Sequence, residues 1–199
     1  GNRGALPYPV LRGACQLANA AASIAALEAM RERLPVSVND IRAGLLNADN
    51  QGRFQVLPGR PAVILDVAHS PQAARALASG LAAMGGGGRV LAVFGMLKDK
   101  DIAGVVAAVK SRVAHWFIAG LEGPRGAAVT ELKQVLSGAA VGAITACDSV
   151  AAAYTQACDI ATENDRIVVF GSFHTVAAVM QLRERQRASP ARGNSRGNR

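Results

Sequence analysis

The strongest constraint on the fold is an alternation that begins near residue 62 and continues almost to the end of the chain. Short, apolar, β-rich runs alternate with segments of helical character, which predicts right-handed βαβ crossovers. The near-continuous apolar runs are typical of strands buried on both faces. We therefore expect an α/β fold, a Rossmann-like, mostly parallel sheet with helices on both faces. The predicted strands are 62–67, 89–95, 114–119, 141–146 and 166–170, and the predicted helices are 71–84, 101–111, 130–136, 149–162 and 175–187.

A separate helical segment precedes this alternation. Residues 15–33 are rich in Ala and Leu and contain no Gly or Pro, so they predict a helix that ends before Pro35. Ser37 is suited to cap a second helix over 38–48. The stretch QGRF, 51–54, marks a break before the first strand.

Polar residues recur where the predicted strands end. Asp66 and His69 follow the first strand, Lys98 follows the second, and Ser172 and His174 follow the last. In a parallel sheet these carboxyl ends lie along one edge, where ligands of α/β proteins bind. Polar turns and helix caps would use the same residue types, so both interpretations stay open.

Several short motifs carry a structural explanation beside a functional one. The four glycines at 85–88 follow a helix and precede a strand, the reverse of a phosphate-binding loop, and predict a helix stop. In GSFHT, 171–175, Ser172 can cap a helix or help backbone N–H groups hold an anion. In GMLKDKD, 95–101, an Asp can cap the next helix, or the loop can close over a ligand. Ser70 and Pro71 fit an N-cap and first helical position.

Two kinds of site have no support in the sequence. The chain contains neither GxxxxGK[ST] nor GxGxxG, so if the protein uses ATP, the loop that binds its triphosphate must lie outside these residues. No Cys–His or carboxylate–His spacing of a metal site surrounds His69 or His174, and we expect no metal ligands in this chain.

The net charge of +8 invites a nucleic-acid interpretation, but its distribution argues against one. Residues 183–199 hold six Arg and one Glu, so this end of the chain supplies +5 and the rest only +3. Residues 188–199 are expected to form a disordered basic tail. With 4% aromatic residues the chain offers no evident base-stacking platform, and an RNA-associated role for the tail remains a minor alternative.

Composition also indicates the compartment. No apolar stretch is long enough to span a bilayer, and the N-terminus lacks the apolar core of a secretory signal. Three widely spaced cysteines, Cys15, Cys147 and Cys158, suit a reducing cytosol better than a disulfide framework. We expect a cytoplasmic, monomeric protein without a membrane partner.

Five blocks in order resemble the C-terminal part of the bacterial bifunctional folylpolyglutamate synthase/dihydrofolate synthase family, relatives of the Mur cell-wall ligases. The blocks are GRFQV at 52–56, LDVAHSP at 65–71, VFGMLKDKDI at 93–102, LEGPRGA at 121–127 and VFGSFHTVAAVM at 169–180. The resemblance runs from about residue 11 to about residue 187.

The resemblance implies a division of the chain. Residues 1–50 would be the helical end of an ATPase domain, and 51–187 a Rossmann-like C-terminal ligase domain. The family adds L-glutamate to dihydropteroate or folates through an acyl phosphate made from ATP. The P-loop, the Mg²⁺ ligands and the rest of the ATPase domain would lie outside this chain, which would be inactive alone.

The resemblance also implies roles for single residues. Asn19 matches a residue that reaches the adenine, Arg53 one that contacts the nucleotide phosphates, and Asp66 one that binds the nucleotide through the ribose hydroxyls. His69 matches a histidine near the reaction centre. Ser172, together with His174, matches a segment linked to glutamate binding. The alternatives are a Mur cell-wall ligase domain, or a non-catalytic Rossmann-like module that binds a nucleotide or a protein.

Overall fold

The computed structural model describes residues 5–11, 14–48 and 51–188, except for the side chains of residues 14 and 15. The elements are α1 (Ala14–Ala29), α2 (Val38–Asn47), β1 (Gln55–Leu57), β2 (Ala62–Asp66), α3 (Pro71–Ala83), β3 (Val90–Phe94), α4 (Ile102–Val109), β4 (His115–Ala119), α5 (Val129–Gly138), β5 (Ala143–Cys147), α6 (Val150–Ile160), β6 (Arg166–Phe170) and α7 (Phe173–Ala188), with a short 3-10 helix at Lys110–Arg112.

In the described part of the chain, six strands form one sheet in the order β1-β2-β6-β3-β4-β5. All neighbours are parallel except β1, which pairs antiparallel with β2. The predicted Rossmann-like, mostly parallel sheet is therefore confirmed. The sequence-based prediction missed β1, because its three half-buried residues show neither an apolar run nor an alternation.

Helices cover both faces of the sheet, as predicted. Alternate strand residues point to opposite sides, so Ile64 and Phe170 pack with α3, α4 and α5 on one face, whereas Leu65 and Val169 pack with α6 and α7 on the other. Trp116, the one tryptophan of the chain, is fully buried and meets Phe94 edge to face at 5.6 Å between ring centroids.

Most helix starts and stops follow local chemistry. The hydroxyl of Ser37 caps α2 in a capping box with Asp40, and Ser70 caps α3 with Pro71 in its first turn. The glycines after α3 end it with positive φ at Gly85 and Gly86, as a helix stop requires.

The helix α1 ends at Ala29, four residues earlier than predicted. Residues 30–33 form turns instead, in which the N–H groups of Arg33 and Leu34 donate to the carbonyl of Met30. Pro35 disfavours the helical conformation for Leu34, so the helix could not have continued past residue 33.

At the edge of the sheet where the strands begin, the buried Asp165, which is 4% exposed, accepts several hydrogen bonds. Its carboxylate accepts hydrogen bonds from the backbone N–H and the guanidinium of Arg89 at 2.7 Å, and from the N–H of Thr162 at 2.9 Å. These hydrogen bonds, with the one from the Arg89 guanidinium the largest, hold the pKa of Asp165 well below its ordinary value. The starts of β3 and β6 are thereby joined.

Some expectations lie outside the described residues. The boundary expected between residues 50 and 51 adjoins residues 49–50, and the expected tail falls mostly on 189–199; only Ala188 of that tail is described, as the last residue of α7. Within the described part of the chain, no helix combines the length and hydrophobicity needed to cross a membrane.

Candidate functional site

The topology creates a crevice at the carboxyl edge of the sheet. The last strand, β6, lies between β2 and β3. The helices that follow β2 and β3 pack on one face, whereas α7, which follows β6, packs on the other. Neighbouring strands whose connections leave to opposite faces open a ligand-binding crevice in α/β proteins. Asp66, Phe170 and Phe94 are in register at this edge, so the residues after them surround the crevice.

Asp66 holds two backbone segments at the end of β2. Its Oδ2 accepts a hydrogen bond from the N–H of Phe54 at 2.9 Å, and its Oδ1 accepts one from the N–H of Ala68 at 2.8 Å. Burial raises the pKa of this carboxyl, and the two hydrogen bonds and the charges of Arg53 and His69 oppose that rise. Each oxygen keeps a further lone pair that can accept a hydrogen bond from a ligand.

The GRF turn is anchored on both sides of Arg53. The carbonyl of Gly52 accepts from the N–H of Val67 at 2.8 Å, and a Cβ at Gly52, where φ is +71°, would lie 3.0 Å from a methyl of Val67. The ring of Phe54 fills the space over Gly80 of α3, where a Cβ would approach the ring to 2.3 Å. The backbone of Arg53 is therefore fixed, and its side chain projects from a rigid turn.

The guanidinium of Arg53 lies over the ring of Phe173, 6.0 Å from the ring centroid. Arg53 is half-buried, whereas Phe173 is 59% exposed. This contact joins the turn before β1 to the first residue of α7, across the crevice between β2 and β6.

His69 is half-buried beside Asp66, and its tautomer follows from its partner. Its Nδ1 lies 2.7 Å from the carbonyl oxygen of Val67. A carbonyl oxygen only accepts hydrogen bonds, so Nδ1 bears the proton, and in the neutral ring Nε2 is left as an acceptor.

Ser172 forms the N-cap of α7. Ser172 is 3% exposed, and its hydroxyl accepts from the N–H of Thr175 at 3.0 Å and lies 2.8 Å from the Thr175 hydroxyl. The Thr175 hydroxyl donates in turn to the carbonyl of Gly95 at 2.7 Å. This buried chain ties the loop after β3 to the first turn of α7 and uses the hydrogen-bonding capacity of Ser172 within the protein.

Gly171 allows this close arrangement. Its φ is +112°, and a Cβ there would lie 2.5 Å from the carbonyl oxygen of Gly95 and 2.9 Å from the ring of Phe94. Any side chain at this position would push the strand ends apart.

His174 faces a different part of the edge. It is exposed and lines a cavity of about 300 Å³ between the ends of β4 and β5 and the starts of α6 and α7. Glu122, Asp148 and Ser149 also line it. The structure thus brings Arg53, Asp66 and His69 together and directs His174 to a neighbouring cavity.

The loops after β3 and β4 form one unit. Arg125 donates to both carboxylate oxygens of Asp99, the closer contact being 2.9 Å, and its carbonyl accepts from the N–H of Lys98. Hydrogen bonds from Arg125 hold the pKa of the Asp99 carboxyl at about 2. Asp101 caps α4, as one interpretation of the motif predicted, and the exposed Lys98 forms no ion pair with any described residue.

Asn19 lies in the N-terminal helical segment. Its amide donates to the side-chain oxygen of Gln16 at 3.2 Å, and both residues line a mainly apolar cavity of about 360 Å³ between α1 and α2. Asn19 forms no hydrogen bond with a described residue at the carboxyl edge of the sheet.

The described residues contain no group of three or more His, Cys, Asp or Glu side chains that could hold a metal ion. The sequence placed Phe173 just after the last predicted strand but indicated no role for it, and it indicated none for Thr175 in the same GSFHT motif. The signal available was the alternation of small, polar and apolar residues after a strand, which does not tell a buried hydroxyl from an exposed one.

Two comparisons of sequence give a consistent result. A family model described as Mur ligase, glutamate ligase domain matches residues 52–173. A dihydrofolate synthase/folylpolyglutamate synthase of Escherichia coli strain K12 is 48% identical over 170 residues. The matched region is 85% of this chain but 39% of that protein, so the chain spans well under half the length of this relative.

Solved structures agree with the sequences. E. coli FolC in complex with DHPP and ADP matches with a TM-score of 0.80 and 46% identity, over 92% of this chain and 41% of that one. A bifunctional folylpolyglutamate synthase/dihydrofolate synthase with Mn, AMPPNP and L-glutamate bound matches with a TM-score of 0.79 and 46% identity, over 90% of this chain and 41% of that one.

Proposed function

This chain belongs to the Mur ligase family, whose glutamate ligase domain it contains, and we propose that it is the C-terminal part of an ATP-dependent folate ligase. The full-length protein would join L-glutamate to dihydropteroate, to folates or to both, forming ADP and an amide bond. The similar proteins carry the name dihydrofolate synthase/folylpolyglutamate synthase, which supports this substrate class.

The observation that carries the proposal is the grouping of Arg53 and Asp66 at the crevice. A guanidinium presents five N–H donors that suit phosphate oxygens, and a carboxylate with free lone pairs can accept from both hydroxyls of a ribose. Burial raises the pKa of the Asp66 carboxyl and the charge of Arg53 opposes that rise, so the two groups are close enough to interact. We propose that Asp66 holds the ribose and Arg53 the phosphates of ATP.

The start of α7 and His69 are assigned to the other substrates. We propose that His69, with Nε2 free to accept, lies near the attacking amine and the developing phosphate. The Ser172 hydroxyl already caps α7. We therefore propose that Ser172 acts on glutamate indirectly, because the cap positions the first N–H groups of α7, which favour an anionic group. His174 would contact glutamate from the neighbouring cavity.

We propose that this chain contributes parts of two domains to the full-length protein. Residues 1–50 would complete an ATPase domain, in which Asn19 approaches the adenine, and 51–187 would form the domain that closes over the nucleotide. The exposed apolar side chains of the N-terminal segment, among them Tyr8, Leu17 and Leu46, support an unfinished core there. By resemblance to the family, we place the Mg²⁺ ligands mainly in the rest of that ATPase domain.

We propose a cytoplasmic enzyme, supported by Cys147 and Cys158, which form no disulfide.

The test uses the full-length protein that contains this chain. ADP release should depend on glutamate together with dihydropteroate or a reduced folate, and this chain alone should catalyse no ligation. ADP release that depends instead on a cell-wall precursor would favour a Mur ligase. Absence of any ligation, with nucleotide still bound, would favour a non-catalytic module.

A further inference from the structure

Phe173 and His174 are the two residues of the GSFHT motif whose side chains take no part in the helix cap or the close approach of the strand ends, and His174 lines the neighbouring cavity. Gly171 allows the close approach of the strand ends, and Ser172 and Thr175 form the helix cap. The Phe173 ring needs to be neither buried nor aromatic for any of these contacts. Among the described residues after position 50, it and Ile160 are the exposed large hydrophobic side chains.

Arg53 lacks other partners that would fix its side chain. It forms no hydrogen bond or salt bridge with another described residue; its charge acts on the Asp66 carboxyl, and its guanidinium carbon lies 6.0 Å from the centroid of the Phe173 ring. Its backbone is held on both sides. The carbonyl of Gly52 accepts a hydrogen bond from the N–H of Val67, and the N–H of Phe54 donates one to the Asp66 carboxylate. The remaining freedom of Arg53 is therefore in the side chain alone.

We propose that Phe173 is a positioning residue that holds the Arg53 guanidinium over the crevice, ready for the nucleotide phosphates. This inference rests on the proposed nucleotide site. An aromatic ring contacts the flat face of a guanidinium and leaves the N–H donors at its edge free. A carboxylate partner would occupy those donors and neutralise the charge, so the ring restrains Arg53 without competing with a phosphate.

The contact also explains why an exposed aromatic residue stands at this position. The negative face of the ring attracts the cation, whereas an aliphatic side chain of similar size offers packing but no such attraction. Phe173→Leu should release the guanidinium, and Phe173→Tyr should retain it. Because Phe173 is 59% exposed, both variants should fold, and Phe173→Met provides a second aliphatic replacement.

The experiment measures KM for ATP and kcat of the full-length protein, with thermal unfolding as a check on folding. Phe173→Leu and Phe173→Met should raise KM for ATP about threefold, the scale of an exposed cation–π contact, while Phe173→Tyr stays near the wild type. Ile160→Ala, which removes an exposed hydrophobic side chain far along α6, should change nothing.

Measurements in an Arg53→Ala protein distinguish a Phe173 that positions Arg53 from a Phe173 that contacts the nucleotide directly. In an Arg53→Ala protein, Phe173→Leu should have no further effect on KM for ATP. An equal rise in both backgrounds, or a Tyr variant as weak as the Leu variant, would overturn the inference. If the wild type shows no ligation, the proposed function fails. The binding of ADP to the same variants is then measured by calorimetry. Equal affinities of the wild type and Phe173→Leu for ADP would overturn the positioning role.

Discussion

The carboxylate of Asp66 accepts a hydrogen bond from the N–H of Phe54 at 2.9 Å, and this bond ties the GRF turn to the end of β2. The acid that is suited to bind a ribose therefore also builds the turn that carries Arg53. Loss of Asp66 would remove two functions at once, one toward the ligand and one toward the fold.

This dual role can be measured with Asp66→Asn in the full-length protein. An amide has one acceptor oxygen, so one of the two backbone N–H groups loses its partner, and the protein should lose about 1 to 2 kcal/mol of stability. KM should rise for ATP and also for 2′-deoxy-ATP, because Arg53 is displaced. A variant that changes KM for ATP but not for 2′-deoxy-ATP would limit Asp66 to the ribose.

A matched pair of glycines tests the packing of the crevice. Gly171→Ala combines an unfavourable φ of +112° with a Cβ 2.5 Å from the Gly95 carbonyl oxygen, and should cost about 2 to 4 kcal/mol. Gly123→Ala, with φ of +90° and no atom within 4 Å, should cost about 1 to 2 kcal/mol. Urea unfolding followed by Trp116 fluorescence measures both, and equal costs would argue against the close contact.

The Asp165 carboxylate should make stability depend on acid pH. Its pKa is lowered in the folded state, chiefly by the hydrogen bond from Arg89, so its contribution is present above the ordinary value of 3.8 and is lost as pH falls toward the lowered value. Asp165→Asn should cost about 2 kcal/mol at pH 7, since buried N–H groups lose an acceptor.

The difference between wild type and Asp165→Asn should shrink below about pH 4. Asp159→Asn, which removes an exposed acid of α6, serves as the control and should leave the pH profile of unfolding unchanged. A constant difference from pH 7 to acid pH would show that the ionised form of Asp165 has no special role.

The contact between Asp99 and Arg125 should be visible in a titration. The pKa of Asp99 is held at about 2 by hydrogen bonds from Arg125, and Arg125→Gln should return it toward 3.8. Carboxyl NMR titration measures the change, with Lys133→Gln as a control for the loss of one exposed positive charge. High salt should weaken the shift in the wild type, because both groups are exposed. An Asp99 pKa that is the same in Arg125→Gln would contradict the contact.

The larger part of the fold is local in origin and could be predicted. The runs that became β2, β3 and β6 are apolar on both faces, and Ser37 and Ser70 use standard capping chemistry. The strand β1 could not be found this way, because Gln55–Leu57 pairs antiparallel with β2 through backbone hydrogen bonds that any residue can form.

The site was predictable in place but not in detail. Strand ends predicted that Asp66 and Ser172 would lie along one edge, and they do. The partners of Asp66 depend on a contact between residues 12 apart, and the choice between cap and ligand for Ser172 depends on Thr175 and Gly95. Long-range contacts of this kind leave no local pattern in a single sequence.

The place of β6 has a consequence for synthesis and folding. It is the last strand in the chain, yet it lies in the middle of the sheet, between β2 and β3. During translation β2 and β3 emerge long before the strand that joins them, and their hydrogen-bonding edges stay unpaired in the meantime. Closure of the sheet must await residue 170, so a chain truncated shortly before Arg166 would lose its central strand rather than an edge, and would expose two strands open to pairing with other chains.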